Sequence, residues 1–283
     1  MKHIGLVAKN AFRAVMSQRA LYMWGFAIVI MFLRSAPALF AQNRPSEMLT
    51  FLRANAVSGS LDIWSLLCMA GAIYLGATSI SSELRSKTII TVLSHPIRRW
   101  QMLVGKWVGV SAFCVVTLGI GLALAFGLAR YLGVNIEGDV LAMSATRTIA
   151  GIVLFAGIAT TVSTMGSAPI AVAVTMFVAI VPQLIQPLRE DSSPTYQRIG
   201  ATLDAVVAPG YQSHYNGVVW APLPVPPNVR GPAGARRALA AMQQRPIVDY
   251  EASRKETAET VGYAAVYFLL GCVAFTRRDL KFS

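Results

Sequence analysis

Side chains able to do chemistry are few in this chain, and they are scattered. Three histidines (His3, His95, His214) and three cysteines (Cys68, Cys114, Cys272) are spread over 283 residues. None has a second Cys or His at ligand spacing, so neither a zinc site nor a disulfide framework is expected. All three cysteines fall inside apolar runs and read as small buried hydrophobes. Ser167, in "TMGSAP", superficially suggests a nucleophile, but the cores of the apolar runs hold no His or Lys base to take its proton. "LVGKWVG" has the Gly105-Lys106 pair, yet it lacks the upstream glycine and the hydroxyl of a phosphate-cradling loop. The chain is therefore expected to be no enzyme and no ATPase, with no catalytic, cofactor or metal site of its own.

What remains is "SSELRSKTIITVLSHPIRRWQMLVGKW", Ser81 to Trp107, a basic amphipathic stretch between two long apolar runs. Elsewhere the chain avoids charge: 55% of residues are hydrophobic, 13% charged, and mean hydropathy is +0.54. That is far more apolar side chain than a soluble core needs, so an all-α integral membrane protein is expected. The formal charge of +12 does not argue for nucleic acid, because the Lys and Arg residues fall between apolar runs instead of along one element.

Six runs approach the ~20 residues that cross a bilayer: 20–37, 61–80, 104–129, 148–163, 168–185 and 261–275. The last is short and must borrow flanking residues. The fourth and fifth form a tight hairpin around "TMGSA", since Pro169 argues against one continuous helix. The chain is thus predicted to be a single membrane domain over 1–283. Its parts are an interfacial helix (1–19), six spans, an elbow at 81–103 and an extracytoplasmic segment at 186–260.

Orientation follows from the distribution of positive charge. With the N-terminus inside, the inner segments hold Lys2, Lys9, Arg13, Arg19, Arg85, Lys87, Arg98, Arg99, Lys106, Arg277, Arg278 and Lys281 against only Glu83 and Asp279. Both termini and the elbow are therefore predicted to be cytoplasmic. The N-terminus has charges scattered through it and no small-residue cleavage site, unlike a cleaved signal peptide. Ile4, Val7, Ala8, Ala11, Phe12, Val15 and Met16 form an apolar stripe predicted to lie in the membrane interface, as an anchor or as a partner contact.

Within the elbow, Ser81 and Ser82 are expected to cap a new helix, with Glu83 in its first turn. Pro96 is expected to stop that helix, after which Arg98 and Arg99 meet headgroups or an acidic partner. Trp100 and Trp107 are placed at interfacial depth, and Lys106 snorkels inward. A helix-turn-helix joined rigidly to two spans can carry a push from outside the membrane to the helices inside it.

The residues of this stretch carry a resemblance. "ISSELRSKTIITVLSHPIRRWQMLVGKWVGV" resembles the segment after the second span in permeases of the type-2 ABC exporter superfamily, where a Glu, a Lys/Gly-Thr, a Leu-Ser-x-Pro-Ile-x-Arg run and a Gly-Lys recur in order. Glu83, Lys87, Thr88, Leu93, Ser94, Pro96, Ile97, Arg99, Gly105 and Lys106 occupy the matching positions. The six runs, the long outer segment and the basic "FTRRDLKFS" extend the similarity. It is nearest to nitrous-oxide-reductase maturation permeases and bacitracin-type exporters.

The resemblance implies a permease subunit in a bacterial cytoplasmic membrane, paired with a second copy or a homologue. It also implies two separate ATP-binding subunits that carry ATP and Mg and dock on the elbow through Glu83, Arg85, Lys87, Thr88, Leu93, Pro96, Arg98, Arg99, Gly105 and Lys106. Two features depart from the family: Lys87 stands where many members have Gly, and the outer segment is longer and richer in proline, so no substrate carries over.

Several residues keep two readings. Gly105 and Gly109 fit a small-x-x-x-small contact, within the chain or between copies. Thr160, Thr161, Ser163 and Thr164 either line a path or bond back to their own helix carbonyls. Tyr211, His214, Tyr215 and Trp220 are interfacial anchors or contacts at the outer mouth. "APLPVPPNVRGP" belongs to an outer cap or an uncommitted loop. Arg34, late in the first run, is expected to reach the outer interface towards Asp62. For the whole chain, the alternative to a permease is a non-transporting membrane scaffold that holds an extracytoplasmic partner. Such a scaffold has no need of a rigid lever ending in Gly105-Lys106.

Overall fold

The computed structural model describes residues 2–16, 19–40, 46–85, 98–190 and 249–277, with isolated positions 198, 202, 215, 218, 219 and 221. Among the described residues the main helices are α1 (Lys2–Met16), α2 (Arg19–Phe40), α3 (Ser46–Arg85), α4 (Arg99–Leu132), α5 (Gly138–Ser163), α6 (Ala168–Glu190) and α7 (Tyr250–Arg277). No strand occurs among the described residues. Four stretches are long and apolar enough to cross a bilayer: Met48–Ser81, Arg99–Leu132, Gly138–Ser163 and Tyr250–Arg277. Trp24–Phe40 and Ala168–Pro182 are apolar but shorter. The protein is thus a multi-pass helical membrane protein.

The helices overrun the hydropathy boundaries. α3 is 40 residues long, about 60 Å at 1.5 Å per residue, and starts well before Leu61. α7 starts at Tyr250 instead of Val261. Hydropathy marks only the part of a helix that sits in hydrocarbon, whereas the helix continues while its backbone bonds stay intact. For the same reason no new helix starts at Ser81 or Ser82. α3 runs through them to Arg85, and Ser81 Oγ donates to the Ala77 carbonyl 2.8 Å away, so the hydroxyl is satisfied inside the helix.

α5 is the central helix and packs against α3, α4, α6 and α7. Small residues set how closely the helices approach, as expected where lipid offers no hydrophobic drive between them. A Cβ on Gly76 of α3 would stand 2.9 Å from Ala159 Cβ and 3.0 Å from the Ala156 carbonyl of α5. Gly121 of α4 accommodates the Trp64 ring of α3, which would lie 2.5 Å from an added Cβ. Side chains from α3, α4 and α5, among them Cys68, Leu75, Phe113, Leu118, Ile152 and Phe155, form the main core. Large apolar side chains such as Phe26 on α2, Phe177 on α6 and Leu269 on α7 are exposed and form the face offered to lipid.

α1 is not an isolated interfacial helix. It runs parallel to the start of α4: Ile4 and Val7 meet Gly105, Ala8 and Ala11 meet Gly109, and Phe12 stands edge-on to Phe113 with ring centroids 6.0 Å apart. This settles the small-x-x-x-small reading within the chain. The glycine face of α4 is occupied by α1 and is not available to a second copy. At the other end of α4, Gly133 at φ 69° closes the helix. Its N–H donates to Arg130 O, and Val134 N–H donates to Ala129 O, a pairing that needs the left-handed conformation glycine tolerates.

Beyond that turn Tyr215, Val218 and Val219 are buried among Val57, Leu61, Ala129 and Val140. Glu137 N–H donates to Val218 O at 3.1 Å, and the Tyr215 and Thr148 hydroxyls hydrogen-bond at 3.3 Å. Tyr215 is 0% exposed, so it is a core residue and not an interfacial anchor. Part of the long outer segment is therefore tethered to the bundle. Tyr215→Phe is expected to lower stability by about 1 kcal/mol. Thr148→Val should cost a similar amount, and the double variant should cost less than the sum, as measured by a double-mutant cycle on detergent unfolding.

Candidate functional site

The elbow end is where α3 stops and α4 begins. Arg98 holds extended backbone (φ −71°, ψ 142°) and starts α4 by accepting from Gln101 N–H at 2.9 Å. The Gln101 Oε1 accepts from Arg98 N–H at 3.1 Å in return, satisfying donors that a helix start leaves unpaired. Arg85 ends α3 and Arg99 opens α4. Lys87, Thr88, Leu93, Ser94, Pro96 and Ile97 lie outside the described residues, so the stop assigned to Pro96 does too.

Glu83 and Lys106, placed in sequence on a partner-facing surface, pair with each other. Lys106 Nζ donates to Glu83 Oε1, and the two side chains are 15% (Lys106) and 24% (Glu83) exposed. Ile80, one turn before Glu83 on α3, and Met102 and Leu103, one turn before Lys106 on α4, are buried with Phe268 and Phe275 of α7. An apolar cluster beside a largely buried ion pair lowers the local dielectric and strengthens it relative to a surface pair.

Three consecutive residues of α4 then reach three different neighbours, because each step along a helix turns the side chain by about 100°. Gly105 is covered by α1, with Val7 2.6 Å from its would-be Cβ. Lys106 reaches α3 through Glu83. Trp107 reaches α5, where its indole N–H donates to Val153 O at 2.9 Å, and α7, where it stacks on Phe268 at 4.1 Å. Trp107 thus spends its N–H on a protein carbonyl and its ring on a protein partner. Through this triplet the first turns of α4 touch most of the bundle.

Three of the four hydroxyls weighed as a path bond back to carbonyls of their own helix. Thr160 Oγ1 donates to Ala156 O at 2.6 Å, Ser163 to Thr160 O and Thr164 to Thr161 O. Thr161 Oγ1 is buried without a hydrogen-bond partner, pressed against Gly271 of α7, whose added Cβ would lie 2.3 Å from it. Arg34 rests across Gly59 of α3, its Nε 2.0 Å from a would-be Cβ there. Tyr211, His214 and Trp220 lie outside the described residues.

Sequence reasoning missed a second charged cluster at the far end of the bundle. Arg147 of α5 donates to Ser253 Oγ of α7 at 3.1 Å and pairs with Glu256. Both charges stand outside the hydropathy limits drawn at Thr148 and Val261, which is why they escaped notice. Their opposite signs beside two run starts on the same side were the available signal. Neighbouring residues of these two helices line a groove of about 820 Å³.

Among the described residues no group of His, Cys, Asp or Glu is arranged to hold a metal. No curated protein matches the chain. A family model described as ABC-2 family transporter protein matches residues 6–280, and the chain, with its long apolar helices, belongs to that family.

Proposed function

We propose that the chain is the permease subunit of an ATP-binding-cassette exporter, with α2 and α6 completing six spans and both termini and the elbow in the cytoplasm. The observation that carries this reading is the Gly105-Lys106-Trp107 triplet. It ties the elbow end of α4 to α1, α3, α5 and α7 at one level. A displacement of the elbow by a cytoplasmic partner then moves four other helices together, because packed interfaces transmit strain instead of absorbing it. Arg98 and Arg99 stand at the start of α4, two turns before Lys106, a position suited to an acidic surface on that partner. ATP and Mg belong on two separate nucleotide-binding subunits, and a second permease copy or a homologue completes the path across the membrane.

Affinity purification of the tagged chain from native membrane in mild detergent, followed by mass spectrometry, tests this. The expected result is an ATP-binding-cassette subunit in roughly one-to-one ratio with the permease. Recovery of extracytoplasmic or membrane partners without an ATPase would replace the proposal with the scaffold reading.

A further inference from the structure

The groove between the far ends of α5 and α7 is a built feature that the elbow mechanism does not use. Its charged lining residues, Asp139 and Arg254, stand toward the starts of their helices, with Tyr250 beside them. Met143, Ala258 and Val261 follow one or two turns farther along, where the apolar runs take over. A lining that changes from charged to apolar along the helix axes matches the gradient from headgroup to acyl chain at a membrane surface.

The electrostatics narrow the occupant. The neighbouring cation, Arg147, is already engaged by Ser253 and Glu256. Arg254 and Asp139 have no hydrogen-bond or ion-pair partner among the described residues, and they do not pair with each other. One guanidinium and one carboxylate at the mouth of an apolar groove complement a ligand carrying a phosphate, an ammonium and a hydrocarbon tail. A guanidinium binds phosphate through two parallel N–H donors, and a carboxylate accepts from an ammonium that has N–H groups to give.

The geometry points to a binding site for a phospholipid with a primary-amine headgroup, phosphate on Arg254, ammonium on Asp139 and one acyl chain along Met143, Ala258 and Val261. This inference rests on the chain being embedded in a bilayer and not on the ATPase partner, so it stands or falls apart from the proposed coupling.

The test uses the full chain, purified in detergent, stripped of lipid and titrated with dioleoyl phosphatidylethanolamine, phosphatidylcholine or phosphatidylglycerol, with bound lipid counted by native mass spectrometry. The ethanolamine lipid should bind about tenfold or more tightly than the other two, the range of one charged hydrogen bond. Asp139→Asn should erase that preference, Arg254→Gln should weaken all three lipids, and Ala258→Trp should fill the groove and remove binding. Equal binding of the three lipids by the unaltered chain overturns the assignment without reference to any variant, as does ethanolamine-lipid binding that survives Ala258→Trp unchanged.

Discussion

Replacing Gly109 by leucine is expected to strip α1 from α4 and to cost about 3 kcal/mol or more, because overpacking against backbone cannot be relieved by a rotamer change. The added Cβ would stand 2.7 Å from Ala11 Cβ and 2.7 Å from the Ala8 carbonyl, both well inside contact distance. The second of these is main chain, so α1 must move as a whole. Gly119 and Gly127 lie on the same helix with nothing within 4 Å of an added Cβ. Gly119→Leu should therefore stay within ~0.5 kcal/mol of the parent, as surface substitutions do. Thermal unfolding in detergent, with cysteines placed at Val7 and Val104 to report α1 docking by cross-linking, would show both effects. Equal behaviour of Gly109→Leu and Gly119→Leu would mean that α1 does not dock where these contacts place it.

Charge reversal at the Glu83–Lys106 pair is expected to have the second large effect, and its pattern separates an internal clasp from a docking surface. Glu83→Lys or Lys106→Glu alone places two like charges in a pocket where the native side chains are only 24% and 15% exposed. Each single change should cost about 2 kcal/mol, below the ~3–5 kcal/mol of a fully buried pair broken on one side, because water still reaches these groups. Both variants should insert in the membrane yet lose coupling to the partner ATPase by at least about tenfold, since α3 and α4 would no longer move together.

The double reversal restores the pair with its ends exchanged and should recover most of that coupling. If Glu83 and Lys106 instead contact the ATPase subunit directly, the double reversal will be as defective as the singles. ATPase assays on the reconstituted complex decide between the two outcomes.

Hydropathy and charge made the class of this protein legible. Long apolar runs, with Lys and Arg falling between them, placed it in a membrane. The order of residues from Glu83 to Lys106 pointed to its family. Helix ends were less legible. α3 and α7 extend far past their apolar runs, and a hydropathy window does not register turns that leave hydrocarbon while keeping their backbone bonds.

Pairing across the bundle was beyond any one-dimensional reading. Glycines at 105 and 109 announced a close helix contact, but whether the partner was α1 or a second copy depended on which helix reached that face first. Tyr215 could be read as a membrane anchor because aromatic residues beside apolar runs usually are, and nothing in the sequence named the partners of Trp107. Only the fold supplied Val153 O for the indole N–H and the α2–α5 pocket that buries the tyrosine.

By itself, then, the sequence determined composition-level facts: membrane insertion, helical class, and a basic stretch between the second and third apolar runs. Each of these follows from transfer free energy and local spacing. Tertiary structure decided that Gly105, Lys106 and Trp107 serve different neighbours, that Glu83 pairs with Lys106, and that Arg147 is matched with Glu256. Those assignments depend on which helices meet and at what rotation, and that is fixed by small-residue contacts summed over the whole bundle and not by any single segment.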